Sequence, residues 1–178
     1  LKMMGIEAVK SSTPAPCRTM IKDALKLMMR GTEDDVIEFI ENARKEFKSL
    51  PPEEIAFPRT ASNVQKYKSS SDIYVKGTPI HIRGALLFNY YLRKKKLTNK
   101  YSAIENGEKI KFLYLKKPNT IQENVLSFIQ DFPTEFGLSQ YIDYELQFEK
   151  SFVYPLKAIL DAIGWEVEKK VTLESFFS

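Results

Sequence analysis

The sequence has few of the residues that build disulfides and metal sites. Cys17 and His81 are the only cysteine and the only histidine among 178 residues. A single cysteine excludes an internal disulfide and is typical of a reducing compartment, and a single histidine excludes a site built from several imidazoles. No apolar run approaches the ~20 residues that a transmembrane helix needs. These absences predict a globular, cytoplasmic domain without a metal site.

Catalytic motifs are also lacking. The sequence has no glycine-rich phosphate-binding loop, no cysteine pair for zinc, and no Ser/His/Asp series that suggests a nucleophilic site. Asp34 and Asp35 are neighbouring carboxylates, but they directly follow Thr32. The acidic first turn of a capped helix explains that position better than a pair of catalytic acids does. The sequence therefore predicts no self-contained active site.

Positive charge is in modest excess. The formal net charge is +4 and the pI is near 9.0, and the largest basic cluster is the run Arg93–Lys96. A basic surface that neutralises several phosphates binds nucleic acid with an affinity that falls as salt rises. A solvated, lysine-rich surface explains the charge equally well, so charge alone does not decide between the two.

Hydrophobic periodicity predicts an α+β fold that is predominantly helical, with small β elements. Four helices are predicted: residues 16–30, a second from a Thr32 cap to Pro51, a third over 80–96, and the longest over 138–163 with a kink at Pro155. The first two are expected to form an antiparallel hairpin. Short extended segments are predicted at 55–57, 73–75 and 109–115, and at the start of 121–130.

Two stretches carry residues suited to phosphate. Lys10, Ser11, Ser12 and Thr13 offer a cation and three hydroxyl groups just before a predicted helix start. Backbone N–H groups at a helix N-terminus favour anions, so this segment is a candidate phosphate cradle. A helix cap followed by a linker is an equally good interpretation of the same residues.

The second stretch is in the middle of the chain. Asn63–Tyr67 places the Lys66 cation and the Tyr67 ring in one loop, and His81 and Arg83 follow two residues apart. His81 and Arg83 share a side only if their stretch is extended. All four are candidates for contact with a nucleic-acid backbone. A buried, hydrogen-bonded imidazole is the alternative for His81.

The C-terminal residues form a short hydrophobic pattern. Leu173, Phe176 and Phe177 fall at i, i+3 and i+4, so one helical turn presents all three on one face. Such a face is typical of a helix that enters a groove on a partner protein, with aromatic anchors dominating the affinity. Docking of the same segment on its own domain is the alternative.

These motifs occur in an order that resembles the palm-to-thumb region and thumb of family B replicative DNA polymerases from T-even-like bacteriophages. Each motif is weak alone, and their shared order is the specific signal. The matching segments cover essentially the whole chain: 1–7, 10–14, 63–67, 81–84, 107–109, 143–144, 149–150, 155–156 and 169–170.

The resemblance implies a domain organisation and a function. Residues 1–13 would connect palm and thumb, 14–168 would form the thumb, and 169–178 would bind the ring-shaped sliding clamp. The thumb would grip the primer–template duplex through phosphate contacts by four lysines, with Tyr67 beside one of them, and the clamp peptide would use Leu173, Phe176 and Phe177 as anchors. The four lysines are Lys10, Lys66, Lys76 and Lys150.

The resemblance also implies what this chain lacks. The catalytic aspartates and their Mg²⁺ would belong to the palm, on the same or a separate chain, so this segment would hold no cofactor and would be inactive alone. It would act in the cytoplasm of the infected bacterium. Because Leu1 is not a usual initiator, we expect a piece of a longer protein or a split-gene product.

Two departures from the family pattern stand out. The spacing from Lys76 to His81 is one residue longer than in the family pattern. Tyr154 stands where the family often has a second lysine, one helical turn after the Lys150 position. A different class of function, a stand-alone helical adaptor that binds no nucleic acid, is the alternative for the whole chain.

Overall fold

The computed structural model describes residues 11–166. Lys10 and the three residues predicted to bind a clamp lie outside this range. The described part is predominantly helical and contains a three-stranded antiparallel sheet, which confirms the predicted α+β class. It divides into two compact units. The first contains the residues up to Leu50 and those from Phe148 onward, and the second is Pro51–Gln147.

Two helices begin the first unit, as predicted. Helix α1 spans Ala15–Met28 and α2 spans Glu33–Ser49, and the two pack together. Thr32 caps α2: the Thr32 N–H donates to Asp35 Oδ2 at 2.9 Å, and the Asp35 N–H donates to Thr32 Oγ1 at 3.3 Å. This reciprocal pair satisfies two backbone donors at the helix start. The acidic pair therefore belongs to a helix cap, as the sequence indicates.

The first unit also contains a π-helical turn, Glu149–Val153, followed by α6, Tyr154–Ala162. The Tyr154 N–H donates to the carbonyl of Glu149, five residues earlier. Pro155 has no N–H to give to the preceding turn, so the wider turn lies where the sequence predicts a kink. Aromatic packing fixes the turn, because Phe148 lies 5.2 Å from Phe47 and 4.9 Å from Phe152, centroid to centroid.

The prediction of one long helix over 138–163 is wrong. Residues Ser139–Tyr141 form a 3₁₀ turn, and Ile142 pairs with Leu115 in an antiparallel bridge. Only then does α5, Tyr144–Phe148, begin, with Asp143 Oδ1 accepting the Leu146 N–H at 3.0 Å. The main-chain partners offered by a neighbouring strand override the apolar spacing. At the other end of the predicted range, Ile163 is 49% exposed.

The second unit is built on the sheet. Its strands are β1 (Phe57–Thr60), β2 (Lys109–Tyr114) and β3 (Val125–Phe128), in the order β1-β2-β3. Phe57 is paired with Phe112, and Phe112 with Ser127. The strand predicted at 55–57 starts later, because Pro52–Ile55 form the short helix α3. A proline in the first turn followed by two glutamates favours that helical turn.

Helix α4, Ile80–Lys94, packs across β3. All four residues of β3 are buried. The Ser127 hydroxyl donates to the carbonyl of His81 at 2.8 Å, and Gly84 lies directly against Ser127. This close approach of helix and sheet fixes the position of the first turn of α4.

Candidate nucleic-acid interface

The start of α1 carries the first described candidates. Ser11 is exposed, whereas Ser12 and Thr13 are half-buried. Pro14, not one of the hydroxyl residues, is the N-cap residue, and α1 has no side-chain cap. Thr13 therefore lies one residue before the N-cap position, and both the phosphate-cradle and the cap-and-linker interpretations of Ser11–Thr13 stand.

Lys150 lies on the π-helical turn of the same unit. Its side chain is exposed, and α1 packs against this turn. Cys17 Sγ donates to Ser151 Oγ at 3.3 Å, which joins α1 to the residue next to Lys150. The element that follows Ser11–Thr13 and the turn that holds Lys150 are therefore neighbours. Single π-helical turns inside helices often occur at functional sites.

Tyr154 stands one helical turn beyond Lys150. Its side chain is 53% exposed, and its hydroxyl donates to Glu149 Oε2 at 3.3 Å. A lysine here would bring a second cation to the turn. Tyr154 brings a neutral hydroxyl, which can contribute a hydrogen bond to a phosphate but no charge.

In the second unit, a loop gathers three exposed lysines. The 3₁₀ turn Val64–Tyr67 holds Lys66, whose Nζ lies 5.4 Å from the centroid of the Tyr67 ring. The Val75 N–H donates to the carbonyl of Tyr67 at 3.0 Å, which brings Lys76 back towards this turn. We call Lys66, Lys68 and Lys76 the lysine loop; each is exposed.

Sequence reasoning selected Lys66 and Lys76 but missed Lys68. Lys68 forms an antiparallel bridge with Tyr74, so residues 68 and 74 close the base of the loop. The predicted extended segment at 73–75 was the available signal, because it needs a partner strand. Tyr67 is half-buried and lies beside Lys66, in agreement with the pairing of ring and cation seen in the sequence.

Arg83 contacts Tyr74, a residue at the base of the lysine loop. Its Nη1 lies 3.2 Å from Glu123 Oε2 and donates to Asn124 Oδ1 at 2.7 Å, and its guanidinium lies 5.7 Å from the Tyr74 ring. The Tyr74 hydroxyl donates to Glu123 Oε1 at 2.6 Å. Burial and the Glu123 carboxylate raise the pKa of Tyr74. The charge of Arg83 is thus compensated by Glu123 within the protein, and its contact with Tyr74 ties it to the base of the loop.

His81 lies on the first turn of α4 and is half-buried. The extended conformation that would place it on the same side as Arg83 is absent, because both residues are helical. Burial, and next the nearby Arg59 guanidinium, lower the pKa of His81 below its ordinary value of 6.5. The imidazole is therefore mostly neutral at pH 7 and offers a phosphate a hydrogen bond rather than a full charge.

Other classes of site are not evident within residues 11–166. No three histidine, cysteine, aspartate or glutamate side chains of this range lie close enough together to hold a metal ion. In the same range, no helix has both the length and the apolar character needed to cross a membrane.

Comparison with known proteins identifies a class of relatives, the DNA-directed DNA polymerases of bacteriophages, whereas no protein-family model matches the chain. The chain is 29% identical over 181 residues to the DNA-directed DNA polymerase of Enterobacteria phage T4. It is 31% identical over 182 residues to that of Escherichia phage RB69. Each similarity covers 99% of this chain, and the chain spans about a fifth of each relative's length.

Proposed function

We propose that this chain is the thumb portion of a family B phage DNA polymerase, and that it grips the primer–template duplex by its backbone. The observation that carries the proposal is the similarity to two phage DNA-directed DNA polymerases along 99% of the chain. A polymerase must move over any sequence, so its grip has to use phosphates rather than base edges.

Each compact unit contributes candidates for this grip. In the first unit they are the hydroxyl groups of Ser11–Thr13 and Lys150 on the π-helical turn. Lys10, outside the described residues, is a further candidate next to Ser11 in the sequence. In the second they are Tyr67 and the lysine loop, whose base contacts Arg83 through Tyr74. Neutral His81 adds a hydrogen-bonding group. Exposed lysines contact phosphates as point charges and carry no sequence information.

The remaining parts of the proposal concern partners. Residues 169–178 would bind a sliding clamp through Leu173, Phe176 and Phe177, and this tether would raise the local concentration of enzyme on DNA. The palm, on the same or a separate chain, would supply the catalytic aspartates and Mg²⁺. The assembly would act in the cytoplasm of the infected bacterium, and this chain alone would be inactive.

A salt-dependent titration with a labelled DNA duplex tests the grip. We expect the 178-residue chain to bind duplex at low salt and to lose affinity as salt rises. Lys66→Gln with Lys76→Gln should lower the magnitude of the log–log salt slope by about two, because each phosphate contact contributes ~0.9. The matched control is Lys22→Gln with Lys26→Gln, two exposed lysines on α1.

The outcome separates the two classes of function. Equal slopes for the lysine-loop variant and the control would contradict the assigned contacts. Absence of duplex binding at both low and high salt would contradict the thumb proposal and favour the helical adaptor.

The clamp contact has its own test. Replacing Phe176 and Phe177 by alanine should weaken binding to the sliding clamp of the same phage by ~2 kcal/mol or more, because buried aromatic anchors dominate such interfaces. Duplex affinity of the same variant should be unchanged. A variant that binds the clamp as tightly as the parent would remove this part of the proposal.

A further inference from the structure

One stretch of the second unit has positive charges and no negative ones. Residues 73–104 contain seven lysines and arginines but no aspartate or glutamate. The fold compensates two of the seven: Arg83 bonds Glu123, and Lys100 Nζ lies 2.7 Å from Glu135 Oε2. Lys76 belongs to the lysine loop. The other four form the run Arg93–Lys96 at the end of α4, which the proposed duplex grip does not use.

The run Arg93–Lys96 is exposed and lies beside two tyrosine rings. None of its four cations forms an ion pair with a carboxylate of residues 11–166. Lys94 Nζ lies 5.7 Å from the Tyr90 ring centroid and 5.8 Å from that of Tyr91, and the two rings meet nearly at right angles, 5.0 Å apart. We call Tyr90, Tyr91 and Arg93–Lys96 the basic end of α4.

Lys96 occupies a backbone position that favours glycine. Its φ is +56°, the Leu97 N–H donates to the Leu92 carbonyl at 2.9 Å, and the Lys96 N–H donates to the Arg93 carbonyl at 3.1 Å. This pair of bonds is the Schellman ending of a helix, whose left-handed residue is usually glycine. Cations near a helix C-terminus do favour the helix dipole. The dipole favours lysine anywhere in the last turn, so it does not explain a lysine at residue 96, whose left-handed backbone disfavours any side chain.

An open cleft of about 840 Å³ adjoins the basic end of α4. Tyr90 and Arg93 line it together with Lys68 of the lysine loop and the serines of Ser69–Ser71. Asp72 and Glu105 also reach it, so its own charge is balanced. The cleft therefore supplies a polar path beside the Tyr90 ring, and the excess positive charge lies at its α4 end.

We propose that the basic end of α4 binds single-stranded DNA. Phosphates would contact Arg93, Lys95 and Lys96, a base would stack on Tyr90, and the strand would continue along the polar cleft. Interleaved cations and aromatic rings are the recurring features of single-strand sites, because an unpaired base exposes a face for stacking. In a duplex those faces are covered by neighbouring base pairs, and a peptide of aspartate and glutamate has no aromatic group to stack on the rings.

Fluorescence anisotropy with labelled oligothymidine tests the proposal on the full chain. Arg93→Gln with Lys95→Gln should weaken binding about tenfold at low salt and lower the salt slope by ~1.4, because each single-strand phosphate contact contributes ~0.7. Lys22→Gln with Lys26→Gln, which removes the same charge from exposed sites on α1, should change affinity less than twofold.

Lys96→Gly separates a binding role from a structural one. Glycine relieves the left-handed backbone, so the melting temperature should rise while oligothymidine affinity falls. If affinity stays the same while stability rises, Lys96 does not bind DNA and the proposal loses its strongest residue. Tyr90→Leu should also weaken binding, because it keeps an apolar side chain but removes the stacking surface.

Three results would overturn the inference. The first is unchanged oligothymidine affinity in Tyr90→Leu. The second is equal loss of duplex and single-strand affinity in Arg93→Gln with Lys95→Gln, which would assign this surface to the duplex. The third is displacement of the oligonucleotide by polyglutamate as effectively as by unlabelled oligothymidine, which would indicate an acidic protein partner. Because the duplex grip is tested with Lys66 and Lys76, the two proposals fail independently.

Discussion

Cys17 Sγ lies 3.3 Å from Ser151 Oγ, a contact between residues 134 positions apart in the chain. Both side chains are buried. The contact joins the first turn of α1 to the π-helical turn that carries Lys150. Because the Cys17 thiol is buried between α1 and the π-helical turn, its reactivity shows whether these two elements pack together in solution.

The first prediction is that the Cys17 thiol resists ionisation while the protein is folded. Burial raises its pKa to about 11 from the ordinary value of 9.0. The folded pKa is the higher one, so the thiol's stabilising contribution is complete below pH 9 and is lost as pH rises towards 11, by about 3 kcal/mol at most. Iodoacetamide at pH 9 should modify Cys17 slowly in native protein and rapidly in urea.

The control for this prediction is Cys17→Ala. Its free energy of unfolding should fall less steeply than that of the parent between pH 9 and 11, whatever the tyrosines contribute to both. Equal alkylation rates in native and unfolded protein would show that Cys17 is accessible and that α1 does not cover it.

Local signals in the sequence were sufficient to predict the helices whose ends are clearly marked. A threonine cap with acids after it predicted α2, and the apolar period over 80–96 predicted α4. Long-range pairing was not predictable in the same way. Ile142 has a helical spacing to its neighbours, but its backbone bridges Leu115, and nothing local to either residue indicates that partner.

The candidate site was predictable as residue types but not as contacts. Lys66 and Tyr67 were selected together, and the structure places them together. Arg83 was selected as a cation, yet it bonds Glu123 from a loop 40 residues later. Whether a cation faces solvent or a carboxylate depends on the tertiary fold, so sequence alone could not distinguish Arg83 from the lysines.

The second prediction concerns the loss of stability at low pH. The ion pair with Lys100, whose Nζ lies 2.7 Å from Oε2, lowers the pKa of Glu135 to about 2 from 4.5. The folded pKa is the lower one, so the contribution of this pair is present above pH 4.5 and is lost as pH falls towards 2. Glu135→Gln should therefore lose stability less steeply than the parent across that range.

Thermal unfolding at several pH values measures this difference. Because Lys100 is exposed, 1 M salt should shrink the difference between parent and variant. The control is Glu54→Gln, an exposed glutamate of the same unit, which should leave the acid slope of the parent unchanged. An acid slope of Glu135→Gln that matches the parent would show that the carboxylate does not hold Lys100 in solution.

The third prediction concerns the cap of α2. Thr32→Ala should lower the free energy of unfolding by about 1 kcal/mol, because the Asp35 N–H loses its acceptor. Asp35→Ala should have a similar effect through the Thr32 N–H. Asp34→Ala is the matched control, since it removes an acid from the same turn without touching the reciprocal bonds, and should cost only a few tenths of a kcal/mol.

Urea unfolding of the three variants decides this point. Combining Thr32→Ala with Asp35→Ala should cost less than the sum of the two single effects, because the residues act as one motif. Equal losses for Thr32→Ala and Asp34→Ala would mean that dipole charge, not the reciprocal hydrogen bonds, stabilises this end of the helix.

The fourth prediction concerns the close approach of α4 to the sheet at Gly84. A Cβ placed there would lie 2.3 Å from Ser127 Oγ and 2.7 Å from the Ser127 backbone nitrogen. At an exposed helical site, alanine is favoured over glycine by ~1 kcal/mol. Here overpacking reverses the sign, and Gly84→Ala should destabilise the protein by about 2 kcal/mol in urea unfolding.

Two further variants test the cause. Ser127→Ala removes the hydroxyl group but leaves the backbone nitrogen in place, so it should rescue Gly84→Ala only in part. Gly77→Ala meets no atom within 4 Å but has a φ of +85°, so it should cost about 1 kcal/mol through backbone conformation alone. If Gly84→Ala were neutral or stabilising, α4 would lie farther from β3 than described.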